Sequence, residues 1–358
     1  MELRLRLGKL EVEGCKPLSD AIYASFVARG FENNAIFDLT HQWNRDNCFH
    51  PYYLMREKLK HHRFEINTID VNSKRPIAFY LHMDVQRQGV SQPCYLLMLE
   101  TPQVCPENAI SSNWDRYRKV FTWNDELVDG DRFIKINFPN PIHVYPVDGF
   151  LTRDRFCCLI AGNKTLLSKD ERNLYPERVH AIRWFEQHVP QDFDLYGINW
   201  DMPVVHGGLF GKVERHFWRV LGRIIKLQFF PSYRGRVAHK RDVLTRTRFA
   251  ICYENVRDLP GYITEKIFDC FFSGCVPVYW GASNITDHIP ADCFVDRRQF
   301  HNTEEVYNFL KATTEQEYRG YQQRIAAFLR SDAAYPFSSE FFAETIVTTI
   351  VQDIGSQA

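Results

Sequence analysis

The chain has 358 residues, 45% hydrophobic and 25% charged, an ordinary globular composition with apolar content for two cores. Its 44 Lys and Arg balance 44 Asp and Glu, which argues against a general nucleic-acid binder. Ten cysteines with no Cys-x-x-Cys pair do not make a disulfide scaffold or a zinc site, and they read as small buried apolar residues.

No run reaches the roughly 18 to 20 apolar residues of a membrane span. Residues 1–7 alternate apolar and charged side chains, a strand pattern rather than a signal peptide. The expectation is a cytoplasmic protein. Helices are expected over residues 17–31 and 51–62, and strands at Ala35-Ile36-Phe37, at residues 76–81 and at residues 95–99. Three prolines between Asn137 and Pro146 mark an interdomain linker. A second α/β series follows: a strand at 156–160, a helix at 177–186, and strands at 193–197 and 248–253. A helix at 265–273, a strand at 276–280, and helical stretches at 304–329 and 339–352 complete it. Strands alternating with helices imply parallel sheets with ligands beyond the carboxyl ends of the strands.

Chemistry concentrates in Gly261-Tyr262-Ile263-Thr264-Glu265-Lys266. Thr264 is a candidate N-cap, and a helix start with Lys266 beside it suits a diphosphate. Glu265 can accept two hydrogen bonds, as a ribose diol requires. Taken alone, the run is equally a solvated acidic-basic helical turn. Between Lys212 and Arg248 stand eleven Lys and Arg against Glu214 and Asp242. This stretch reads as a basic amphipathic surface helix. A sharper reading gives Lys240 to an anionic donor and Arg215, Arg219 and Arg223 to an acceptor or a membrane surface. Asp192-Phe193-Asp194 has metal-motif spacing but lies in a strand, so no metal site is expected. The sequons at Asn163 and Asn284 read as chance matches.

Three ordered blocks extend the signal: residues 248–255 (Arg-Phe-Ala-Ile-Cys-Tyr-Glu-Asn), 262–267 (Tyr-Ile-Thr-Glu-Lys-Ile) and 276–281 (Val-Pro-Val-Tyr-Trp-Gly). In these the chain resembles the α1,3/4-fucosyltransferases of glycosyltransferase family 10. The likeness runs more loosely upstream through Tyr175-Pro176-Glu177-Arg178 and hardly reaches the first 140 residues.

The resemblance implies an α/β GT-B fold, two Rossmann-like domains facing each other across a cleft. The expected division is an acceptor-side domain over 1–147, a GDP-sugar domain over 148–340, and a C-terminal helix over 341–358 that packs back on the first domain. GDP-fucose is the implied donor and an oligosaccharide or glycoconjugate the acceptor, with no essential divalent metal and no nucleic-acid partner. Arg178, Asn255, Tyr262, Glu265 and Lys266 would contact the nucleotide-sugar, with Lys240 added from the basic stretch. Inversion needs a carboxylate to deprotonate the acceptor. Glu100, directly after a strand, is the favoured candidate and Glu107 its rival. The alternatives are another nucleotide-sugar donor, or a binding protein of this fold without catalysis.

Overall fold

The computed structural model describes residues 21–86, 93–166, 170–204, 208–225 and 227–356, with side chains at 208–210, 212 and 223–225 left undescribed. The strand expected at 1–7 and the Arg223 side chain lie outside the described residues.

The first half is a six-stranded parallel sheet, β1 (Ile22–Val27), β2 (Phe64–Thr68), β3 (Phe79–Met83), β4 (Cys94–Met98), β5 (Lys119–Thr122) and β6 (Phe133–Lys135), in the order β2-β1-β3-β4-β5-β6. Helix α1 (His50–His61) carries Pro51 in its first turn and Lys58, Lys60 and His61 in its last, a charge placement that complements the helix dipole. It buries Tyr52, Met55 and Leu59.

Here the sequence expectation needs two corrections. The helix expected over 17–31 is not formed by its described residues, 21–31, because Ile22–Val27 is β1, paired in parallel with β2 on one side and β3 on the other; residues 17–20 lie outside the described residues. A strand covered on both faces reads as an unbroken apolar run, which periodicity cannot separate from a buried helix segment. Ala35–Phe37 is a single 3₁₀ turn, not a strand. Its Ile36 and Phe37 are buried as expected, but left-handed Asn33 and Asn34 turn the chain immediately before it.

The second half is a five-stranded parallel sheet, β7 (Arg155–Ile160), β8 (Phe193–Tyr196), β9 (Thr247–Tyr253), β10 (Val276–Trp280) and β11 (Val295–Asp296), in the order β11-β10-β9-β7-β8. Its helices are α2 (Tyr175–His188), α3 (Gly208–Ile225), α4 (Lys240–Leu244), α5 (Glu265–Phe271), α6 (Ile285–His288), α7 (Thr303–Ala312) and α8 (Glu315–Arg330). The helical stretch 304–329 is two helices, because Thr313 is extended and Thr314 opens α8 with a complete capping box to Glu317. Seven cysteines (94, 157, 158, 252, 270, 275 and 293) are buried, as small apolar residues are. The Asp192-x-Asp194 pair serves the scaffold: Asp194 binds Arg234 at 2.7 Å, and Asp192 accepts from the Tyr307 hydroxyl at 2.7 Å.

The chain crosses between the halves twice. Residues 137–146 run extended beside 337–339, where Asn140 N donates to the Phe337 carbonyl and Ser339 N to that of Asn140. Helix α9 (Ser339–Gly355) then returns to the first sheet and buries Phe342, Ile346 and Ile350 in its core. Each such side chain contributes roughly 1.5–3 kcal/mol of burial. The carboxyl ends of both parallel sheets thereby converge on one cleft.

Candidate functional site

A cavity of about 290 Å³ opens at the carboxyl ends of β7 and β9 and is walled by Arg178, Lys240, Asn255, Glu265, Lys266 and Asp269. Its floor is apolar, from Leu159, Ile160, Ala250 and Cys252. An apolar slot rimmed by a few convergent charges fits a flat base attached to an anionic tail.

Glu254 organises the charged rim. It is fully buried at the end of β9, and an unpaired carboxylate there would cost several kcal/mol. Its oxygens accept from Thr264 N at 2.8 Å, from Thr264 Oγ1 at 2.8 and 3.0 Å, and from Lys266 Nζ at 2.9 Å. Thr264 therefore occupies the N-cap position of α5 but turns its hydroxyl to Glu254 instead of capping the helix. Lys266 Nζ also donates to Thr264 Oγ1 at 2.8 Å. An ammonium has three donors, so one remains for a ligand. Burial opposes the charge on Lys266, but the Glu254 and Glu265 carboxylates outweigh it and raise its pKa above the ordinary lysine value.

Burial likewise opposes the Glu265 carboxylate, yet Lys266 and Lys240 bring its pKa down to about 2. Lys240 sits 3.6 Å from Glu265 and 2.5 Å from Asp269. Asp269 is pushed up to about 6, mainly by burial, against the pull of Lys240. Lys240 thus lines the cavity as expected, with its charge shared between two carboxylates. Arg178 is buried on α2, lies 4.6 Å over the Tyr175 ring, and donates through Nη2 to the Tyr253 carbonyl at 2.7 Å and Asn255 Oδ1 at 3.0 Å.

Tyr262 is placed differently from the other five expected donor residues. It does not line the cavity; its buried ring packs 4.8 Å from Trp123 and 5.8 Å from Phe138 of the first half. It acts as a wedge between the halves, with its hydroxyl 3.4 Å from Asn255 Nδ2. Trp123 continues the connection by donating from Nε1 to the Leu99 carbonyl at 2.8 Å, directly before Glu100.

Glu100 follows β4. Its backbone N–H, and that of Leu99, donate to Asp84 Oδ1 at 2.9 Å. Asn108 Nδ2 donates to the Glu100 carbonyl at 2.9 Å and to Asp84 Oδ1 at 2.8 Å. Asp84 itself is held at φ 56°, a left-handed backbone that costs energy in a non-glycine residue. Burial, then the Asp84 charge, raises the Glu100 pKa, and Lys266 and Lys164 across the cleft pull the other way. The carboxylate is within the field of two lysines that line the cavity. The rival Glu107 lies in a 3₁₀ turn, where its Oε2 accepts from Cys105 Sγ at 3.8 Å.

The halves are pinned beside this site. Asp125 receives Lys135 Nζ at 2.5 Å, Asn284 Nδ2 at 2.9 Å and His288 Nε2 at 2.8 Å. Gly261 has φ +79°, and a Cβ there would lie 2.2 Å from the Trp123 carbonyl oxygen. Gly261→Ala must displace Trp123 as well as strain the backbone, a destabilisation of roughly 2 kcal/mol or more. Thermal unfolding should show a loss of several degrees, and an unchanged Tm would contradict this packing. Both sequon asparagines are occupied internally: Asn284 at this junction, and Asn163 by donating to the Asn199, Met202 and Pro203 carbonyls.

Residues 214–330 match the C-terminal domain of glycosyltransferase family 10 (fucosyltransferase). Over 75 residues the chain is 35% identical to the Helicobacter pylori alpha-(1,3)-fucosyltransferase FucT, covering 21% of this chain and 16% of that enzyme. A crystal structure of an alpha1,3-fucosyltransferase with GDP superposes with a TM-score of 0.54 at 14% identity, covering 96% of this chain and 94% of that one. Anabaena HepE in complex with UDP and glucose gives a TM-score of 0.54 at 11% identity, covering 92% of this chain and 100% of that one. At such identities the structural likeness is one of fold, and it is the GT-B fold, with its two facing α/β halves. The matched segment contains Asn255, Glu265 and Lys266 together with the Glu254 that binds Thr264 and Lys266, and over residues 214–330 the chain carries a domain of the glycosyltransferase family 10 (fucosyltransferase) type.

Proposed function

We propose that the protein is an inverting fucosyltransferase that moves L-fucose from GDP-fucose to a hydroxyl of a glycan acceptor, by an α1,3 linkage to N-acetylglucosamine or glucose. The observation that carries this reading is the rim of Arg178, Asn255, Glu265 and Lys266 around one cavity, with Glu100 in the field of its lysines.

In this chemistry the Glu100 carboxylate takes the proton of the acceptor hydroxyl as its oxygen bonds to the sugar C1. The bond from C1 to the β-phosphate oxygen breaks on the opposite face, and its electron pair leaves with GDP. Arg178 and Lys266 take up the charge that develops on the diphosphate, so the reading requires no divalent metal. Glu265 accepts from the ribose hydroxyls, and Asn255, held by Arg178 and Tyr262, borders the phosphates. Thermal shifts with GDP, UDP and ADP test the donor. GDP should raise Tm most, and stabilisation by UDP but not GDP would transfer the protein to a different donor class.

A further inference from the structure

The proposed transfer takes a carboxylate from one half of the chain and a diphosphate site from the other, so its rate depends on how the halves are held. Asp125, on the loop after β5, is bonded on both sides of that gap. On its own side, Lys135 Nζ donates to Asp125 Oδ1 at 2.5 Å and to the Trp123 carbonyl at 2.6 Å. Trp123 in turn donates from Nε1 to the Leu99 carbonyl, one residue before Glu100. On the far side, Asp125 Oδ2 accepts from Asn284 Nδ2 and His288 Nε2, and the Asp125 N–H donates to the Pro260 carbonyl at 3.3 Å. Asn284 Oδ1 accepts from Gly261 N at 2.8 Å, where the loop to Thr264, Glu265 and Lys266 begins. The His288 ring packs 6.2 Å from that of Phe337, beside the segment where the chain crosses between the halves. Burial opposes the charge on Asp125, but His288, Lys135 and Asn284 hold its carboxyl well below the usual carboxylate range. An ionised carboxylate only accepts, so His288 Nε2 carries its proton here.

We propose that Asp125 is a positioning residue for the transfer: through Trp123 and Asn284 it sets the spacing between Glu100 and the loop that carries Lys266. It touches neither donor nor acceptor. This role rests on the reading of Glu100 as the base and of the cavity as the donor site, and it supplies what keeps the two in register. An error of about 1 Å in such a spacing can cost about a hundredfold in rate. The cavity itself is walled by residues 159–270 of the second half alone, so nucleotide binding does not depend on the link.

Asp125→Ala should therefore lower kcat by roughly tenfold to a hundredfold, while nucleotide affinity, measured by calorimetry, stays within about twofold. Asn284→Ala removes no charge, leaves the Asp125–Lys135 pair in place and should show the same split. Because both act through one link, the double variant should lose little more than the worse single one. Hydrogen exchange reads the link without any sugar: the Gly261 amide should exchange faster in Asp125→Ala than in the wild type. Each kcat is taken relative to the wild type with whichever nucleotide-sugar that protein uses, and the exchange needs none, so a failure of the donor assignment does not register as a failure of the link. An unchanged kcat in Asp125→Ala, a nucleotide affinity that falls in step with kcat, fully additive losses in the double variant, or unaltered exchange at Gly261 would each overturn the proposal.

Discussion

Glu100→Gln should lower kcat for sugar transfer by about 10² to 10⁴, the range expected when a positioned base is lost, while nucleotide affinity stays within about twofold to threefold. The amide preserves the side-chain shape, and the backbone at Glu100 is fixed independently by Asp84 and Asn108, so the loss cannot be assigned to misfolding. The pH profile separates a base from a merely placed side chain. A general base acts as the carboxylate, and burial together with Asp84 raises the Glu100 pKa. In the wild type kcat/KM therefore falls as pH drops through that raised value, above the ordinary glutamate pKa of about 4.3. The variant should lack this acid limb. A full loss in Glu107→Gln with a normal profile in Glu100→Gln would give the role to the rival carboxylate.

Lys266→Met should be the most damaging change on the donor side, and it should act in two separable ways. It removes the ammonium assigned to the diphosphate, and a charge-assisted contact of this kind contributes about 1.5–3 kcal/mol. It also strips Glu254 of its only cationic partner at hydrogen-bond distance among the described residues, and that carboxylate is fully buried. Leaving one member of a buried pair costs about 3–5 kcal/mol. Calorimetry should show GDP affinity reduced on the order of tenfold to a hundredfold, together with a lower Tm. Lys266→Met with Glu254→Gln should recover much of the Tm, because the uncompensated charge is gone, but none of the affinity. Recovery of both would make Lys266 a purely structural residue.

The charged rim of the cavity was readable because its contacts are local. Glu265 and Lys266 follow a loop, open a helix and meet their partners within a dozen residues, so a short run displays most of the rim. Asn255 and Arg178 became interpretable only through the ordered blocks around them. Tyr262 shows where this fails: its position in the run was correct, but the ring belongs to the contact between the halves with Trp123, 139 residues upstream. Trp123, Asp84 and Asn108 were missed for the same reason, since a long-range hydrogen bond leaves no periodic trace. Asp84 had no local signal at all, because a left-handed aspartate is visible only in the backbone. Glu254 did have one, a carboxylate ending an apolar strand, where burial without a partner is forbidden. The Thr314 capping box was also legible, as Thr-x-x-Glu, and would have divided α7 from α8. The β1 error was of another kind. A strand buried on both faces carries no alternation, so no inspection of residues 21–31 alone could have found it.

The most direct test is transfer of radiolabelled sugar to an N-acetyllactosamine-type acceptor, with GDP-fucose and UDP-glucose offered separately to the same preparation. The proposed site predicts labelled product from GDP-fucose alone, undiminished by a metal chelator and abolished by Glu100→Gln. Product from UDP-glucose alone, or GDP-fucose transfer that survives Glu100→Gln undiminished, would contradict it.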